Sequence, residues 1–276
     1  MCNHVYVPVR EHNRVKGEEK KIMSEAIKAA TLEYATRLGD DSVVLGHRIS
    51  EWISYGPFLE EDIAYGNVSL DYIGRARMFY TYAAELANDG RDEDDFAYMR
   101  NDREYRNLLL MEMPKGDFAY SQVRQLFADV YYTYLLPELL QSKDETLSAI
   151  AAKAIKETKY HLRRSRDWVL RLGDGTEESH QRAQKAVDAL WGYTHELFDM
   201  DETEQLLADA GIGVDVSKLH DAWLAKVSEI LTEATLTIPE DEWAVRGGRI
   251  GYHTENLGHM LTEMQIVHRS FPGCKW

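Results

Sequence analysis

Lys153-Ala-Ile-Lys-Glu-Thr-Lys-Tyr-His-Leu-Arg-Arg-Ser-Arg-Asp-Trp168 is a long run with helical periodicity and neither Gly nor Pro. Ile150, Ala154, Glu157, His161 and Trp168 fall along one stripe at i, i+3, i+4 spacing, and Ala151, Ile155, Thr158, Leu162, Ser165 and Val169 line the next. Such stripes are the seam that a bundle helix buries. This seam carries a carboxylate, a hydroxyl and an imidazole among its apolar groups, and burying them costs several kcal/mol unless they are paired. A metal site in a four-helix bundle explains them, and so do the satisfied remains of one.

Counting ligands separates the two. A dinuclear carboxylate bundle takes one Glu from each of two helices and a Glu-x-x-His motif from each of the other two. The i, i+3 spacing puts both ligands of a motif on one helix face. His161 is preceded at that spacing by Thr158, which cannot replace a bridging carboxylate. Of the 10 His in the chain only His180 follows an acidic residue by three, Glu177, in a Gly-rich turn that leads into a helix. The chain has the helix and lacks the ligands.

Outward from this stretch, the pattern is helical almost throughout. Ser24 reads as an N-cap before Ile27, Ala30, Tyr34 and Leu38, Gly39 as a brief break, and Asp41 to Ile53 as a resumption ended by Gly56-Pro57. Helices are expected at 59–88, with Gly66 and Gly74 in mid-helix where another backbone comes close, and at 117–141, rich in aromatics. Further helices are expected at 144–173, 176–200, 201–210, 217–236 and 252–270. The long excursion 89–114 is expected to pack Leu108 to Met111 on the bundle. Residues 1–23 are polar and read as a flexible N-terminal extension, and 24–276 as a single helical domain.

Composition narrows the function. A hydrophobic fraction of 44% and a charged fraction of 29% are those of a soluble protein, and a net charge of −15 argues against nucleic acid and anionic membrane as partners. No apolar run spans a bilayer, the start of the chain lacks the features of a signal peptide, and Cys2 and Cys274 make no disulfide framework, so a cytoplasmic location is expected. A nucleophile elbow, a Gly-rich phosphate loop and a Rossmann fingerprint are all missing from the sequence, which excludes the commonest hydrolase and nucleotide-dependent chemistries. Tyr131-Tyr132-Thr133-Tyr134 spreads aromatics around a full turn; they cannot all point inward, which makes Tyr131, Tyr132 and Tyr134 candidates for an interface. The i, i+4 pairs His47/Glu51 and Glu157/His161 and the series Glu255/His259/Glu263 can ligate a metal; for the last series surface ion pairs are the expectation.

Five longer segments carry a resemblance. They are Arg37-Leu-Gly-Asp40, Ser69-Leu-Asp-Tyr-Ile-Gly-Arg-Ala-Arg77, Ala154-Ile-Lys-Glu-Thr-Lys-Tyr-His-Leu-Arg163, Glu196-Leu-Phe-Asp199 and His253-Thr-Glu-Asn-Leu-Gly-His-Met-Leu-Thr-Glu-Met-Gln265. In these the chain resembles the C-subunit family of bacterial phenylacetyl-CoA 1,2-epoxidases, the ring oxygenases of phenylacetate degradation. The resemblance implies an all-α, ferritin-like four-helix bundle with additional C-terminal helices. It implies a non-catalytic subunit without a cofactor of its own, set beside a homologous di-iron A subunit in a heterodimer or larger assembly. A reductase subunit with FAD and a 2Fe–2S cluster would supply electrons from NADPH, and the isolated chain could pair with itself.

By that resemblance and by helix order, the former ligand positions are Glu51, Asp71, Asp129, Thr158 and His161. Asp71 stands where a Glu-x-x-His would begin, but its i+3 partner is Gly74. Buried carboxylates without a metal need a cation, and Lys153, Lys156, Arg75, Arg77 and His161 are the candidates. The alternative is an independent metal-binding bundle that uses Glu51, Asp71, Asp129 and His161 in an unusual arrangement.

Overall fold

The structure is a computed structural model that describes residues 9–240 and 243–274, with side chains from residue 23 onward. Four long helices make the core: α1 (Val9–Ser50), α2 (Leu59–Ala87), α4 (Phe118–Leu139) and α5 (Glu145–Gly173). Between the second and third of these lies the one-turn helix α3 (Leu109–Glu112). After them come α6 (Glu177–Trp191), α7 (Glu202–Ala210), α8 (His220–Glu233) and α9 (Glu255–Ser270). There is no strand among the described residues. The fold is all-α and ferritin-like.

The core helices pack as two hairpins, α1 along α2 and α4 along α5, joined where α2 meets α5. A second layer packs on part of this core: α6 and α8 lie against both α4 and α5, while α3, α7 and α9 lie against α1. That layer explains α4, whose buried positions run all round the helix and include Leu126, Phe127, Ala128, Asp129, Val130, Tyr131 and Tyr132 in succession. By contrast α2 and α5 keep an outer face in solvent. The buried apolar residues from Ala30 to Leu261 form one contiguous cluster. No helix among the described residues is long and apolar enough to cross a membrane.

Three boundaries differ from the periodicity. The first helix is continuous from Val9 through Ser24 and Gly39 to Ser50, instead of starting at Ser24 and breaking; residues 1–8 of the expected extension lie outside those described. Gly39 is there because the ring of Tyr80 lies on it: a Cβ would stand 2.5 Å from Tyr80 Cε1. The helix expected over 176–200 stops at Trp191, where Gly192 lets the ring of Trp243 lie on the backbone, closer than any Cβ could tolerate. The chain then continues as a 3-10 turn, His195–Phe198. In the excursion after α2, Leu108, Leu109, Leu110 and Met111 are all buried on the bundle.

Candidate functional site

The centre of the four-helix core is polar. α2 presents Tyr72 and Arg75, three apart and so on one face; α5 presents Thr158 and His161 at the same spacing; α4 contributes Asp129. All five are buried. Asp129 accepts at Oδ1 from Tyr72 Oη (3.1 Å) and Gln125 Nε2 (2.7 Å), and at Oδ2 from Ser165 Oγ (2.7 Å). Burial pushes its carboxyl above the ordinary range, against the pull of His161 and these three donors. The Tyr72 hydroxyl is pushed well up by burial and by the same carboxylate.

Arg75 fills the space between the two helices. Its Nη2 donates to Thr158 Oγ1 at 3.1 Å, and its guanidinium lies over the rings of Tyr72 (4.7 Å) and Tyr132 (5.1 Å). Its nearest counter-charge is Glu157 Oε2 at 3.8 Å, on a half-buried side chain whose pKa burial raises although Arg75 opposes it. Arg75 Nε and Nη1 have no hydrogen-bond partner among the described residues. His161 stacks on Tyr72, ring centroids 5.2 Å apart, and its Nε2 meets Asp71 Oδ2 at 2.9 Å.

These residues do not suit a pair of iron ions. Where each of two helices would bear Glu-x-x-His, α2 bears Tyr72-x-x-Arg75 and α5 bears Thr158-x-x-His161. The one carboxylate inside has both oxygens engaged, the one imidazole is turned toward the surface carboxylate Asp71, and a guanidinium supplies positive charge between them. Among the described residues no three His, Cys, Asp or Glu side chains gather as a metal site requires.

The expected positions divide accordingly. Asp129, Thr158, His161 and Arg75 come together at the centre. Asp71 is at the rim, its side chain 36% exposed, touching the centre only through His161. The inward pair on α2 is Tyr72 and Arg75, one residue on from the expected Asp71 and Gly74; a one-residue step turns a helix by about 100°. Glu51 lies past the end of α1, 33% exposed, paired with Arg48 Nη1 at 2.6 Å. The alternative metal set Glu51, Asp71, Asp129 and His161 is therefore not brought together. Arg77 is 75% exposed and pairs with Glu93 at 3.2 Å, and Lys153 and Lys156 point to solvent, so none of the three neutralises the centre.

Tyr131 and Tyr132 are buried, not interface residues, because α4 is enclosed on both sides; Tyr134 is half-buried against the core. His47 does not pair with Glu51: it is largely buried, which lowers its pKa to about 4. Glu255, His259 and Glu263 are exposed and make no ion pair with one another. His180 uses Nδ1 on the carbonyl of Gly173 at 2.7 Å, closing the end of α5.

Periodicity missed the buried ionic networks on the α1 flank. Asp40 pairs with Arg100 and accepts from Tyr80 Oη (2.6 Å) and the amide of Arg106 (2.7 Å). Asp41 takes both Nη atoms of Arg249 (3.0 and 2.9 Å) and the amide of Leu108 (2.7 Å), while burial lifts its carboxyl to about 6 against the pull of Arg249. Glu112 holds His253 Nδ1 at 2.7 Å and the amide of Thr254 at 2.7 Å; Glu196 accepts from the amides of Leu109, Gly247 and Gly248. These carboxylates fasten the connections that lead into α3 and α9 to the bundle. The signal was present: Asp40-Asp41 is an acidic pair in the otherwise uncharged run from Leu38 to Leu45, all of it buried.

The chain matches the family model described as phenylacetic acid catabolic protein over residues 11–276. It is 49% identical over 243 residues to the C subunit of the 1,2-phenylacetyl-CoA epoxidase of Escherichia coli (strain K12), an alignment that covers 88% of this chain and 98% of that protein.

Proposed function

The chain belongs to the phenylacetic acid catabolic protein family, and from that premise we propose that it is the non-catalytic C subunit of a phenylacetyl-CoA epoxidase in aerobic phenylacetate catabolism. Its partner is a homologous A subunit that carries the di-iron centre. Electrons reach that centre from NADPH through a reductase subunit with FAD and a 2Fe–2S cluster, and the assembly works in the cytoplasm. The chain's own contribution is a rigid, metal-independent bundle that the A subunit needs as a neighbour.

The observation that supports this best is Arg75. A guanidinium stands between Thr158 and the rings of Tyr72 and Tyr132, where a di-iron bundle would place carboxylate-bound cations. A fixed cation stacked between rings and bonded to a hydroxyl keeps the two hairpins together without redox chemistry, and it opposes entry of a metal ion by charge repulsion.

The experiment is anaerobic reconstitution of the isolated chain with ferrous iron, followed by metal analysis, and separately coexpression with the A subunit and an epoxidation assay. The isolated chain is expected to retain no stoichiometric iron, and the A subunit to be soluble and fully active only in its company. A di-iron load in the isolated chain, or an A subunit fully active alone, overturns the proposal.

A further inference from the structure

Although α6 and α8 pack on part of α5, the α2–α5 pair keeps an outer face in solvent. On α2 it shows an apolar stripe: Leu59, Ile63 and Leu70 are 69%, 57% and 67% exposed. Gly66 and Gly74 lie in that stripe, and nothing in the chain stands within 4 Å of where a Cβ would be on either. A mid-helix Gly is less favourable than Ala, so these two destabilise the chain without serving any internal contact, unlike Gly39 under Tyr80.

The facing surface of α5 is basic. Lys153, Lys156, Tyr160 and Arg163 recur at i, i+3, i+7, i+10, and all four are exposed. None of the three cations makes an ion pair among the described residues; the nearby carboxylate Glu157 is turned inward to Arg75, and Arg163 lies over the ring of Tyr160. An unpaired basic row on a chain of net charge −15 is local charge of the opposite sign to the whole. Between the two helices runs a groove of about 540 Å³, walled on α2 by Gly74, Arg77, Met78, Tyr82 and the carboxylate Glu85, and on α5 by Ile150 and Lys153.

We propose that this face is where the catalytic subunit docks, through a helix whose apolar side lies along the Leu59–Leu70 stripe and whose acidic flank meets the α5 row. The identity of the occupant rests on the proposed function; its chemistry rests on the face. The unpaired cations select an acidic flank and make association salt-dependent. Gly66 and Gly74 let a second helix backbone approach α2 closely, and the apolar stripe supplies the centre that an obligate interface needs.

The test is the affinity of the full chain for the A subunit, measured at rising ionic strength. Three variants are compared with wild type: Lys153→Glu with Lys156→Glu and Arg163→Glu; Ile63→Gln with Leu70→Gln; and Gly66→Leu with Gly74→Leu. Lys185→Glu on the exposed side of α6 is the control. Each of the three is expected to fold, by circular dichroism and melting, and to bind about tenfold or more weakly. The glycine variant is expected to melt higher than wild type while it binds worse, which loss of fold cannot mimic. Variants that bind like wild type overturn the docking face and leave the proposed function standing. A wild-type chain that ignores the A subunit overturns the proposed function, and this occupant with it. Variants that disrupt only self-association of this chain assign the face to a second copy and overturn the inference as well.

Discussion

Two buried arginines should respond to the same substitution to very different degrees. Arg75→Met removes one charge-assisted hydrogen bond, to Thr158, a loss of about 1.5–3 kcal/mol, and cation–π contacts with two rings, roughly 1–2 kcal/mol more. Against that, the guanidinium is fully buried with two nitrogens unpartnered, and relieving its desolvation returns several kcal/mol. The Glu157 Oε2 that faces Arg75 is buried without a hydrogen-bond donor, so in the variant that carboxyl, already pushed up by burial, is left to take a proton, while Asp129 keeps its three donors. The net change is expected within about 1–2 kcal/mol of zero. Arg100→Met instead strands Asp40, whose side chain is fully buried and left with only Tyr80 Oη and one amide. Breaking a buried pair in that way costs about 3 kcal/mol or more, a fall in Tm of about 6 °C or more for a chain of this length. Urea and thermal denaturation followed by circular dichroism at neutral pH compare the two. If Arg75→Met proves as costly as Arg100→Met, Arg75 is neutralising an ionised Asp129, and its description as a replacement held by stacking and one hydroxyl is wrong.

Other outcomes follow from the same geometry. Burial alone would lower the pKa of His253, but its bond to the buried Glu112 carboxylate overrides this and raises it. The folded chain therefore binds this proton more tightly than the unfolded one, and stability falls as pH rises above about 6.5; melting temperature against pH should show that fall in wild type and much less of it in His253→Gln. Tyr72→Glu with Arg75→His and Thr158→Glu rebuilds two Glu-x-x-His pairs around Asp129. That variant should melt lower than wild type without metal and gain about 2.7 kcal/mol at a ferrous or cobaltous concentration a hundredfold above its Kd, while wild type does not respond.

The helices themselves were legible because burial on one side imposes a period. The amphipathic run of α5 placed Thr158 and His161 on the inner face, whereas the aromatics of α4 read as partly outward, because nothing local shows the second layer that buries Tyr131 and Tyr132. What local pattern could not show is contact between distant segments. Gly39 reads as a break and Gly192 as ordinary helix until Tyr80 and Trp243 are in place on them. The ionic networks escaped for the same reason: Asp41 meets Arg249 and Glu112 meets His253 across half the chain or more.

The register of α2 misleads for a different reason. Its inner face is set by Tyr65, Val68, Tyr72, Arg75, Ala76 and Phe79, all buried, a regular i, i+3, i+4 series that places Arg75 at the centre. Ile63, Leu70 and Asp71 compete with that series in the sequence, because Leu and Ile stand for burial and a carboxylate is expected beside them. Both leucine and isoleucine point to solvent here. A helix with apolar residues on opposite faces has no single phase that burial within its own chain can explain. In a protein of net charge −15, a second apolar face costs solubility and invites aggregation unless a partner covers it. The error of phase and the open face thus have one cause: α2 is patterned for two neighbours, one inside this chain and one outside it.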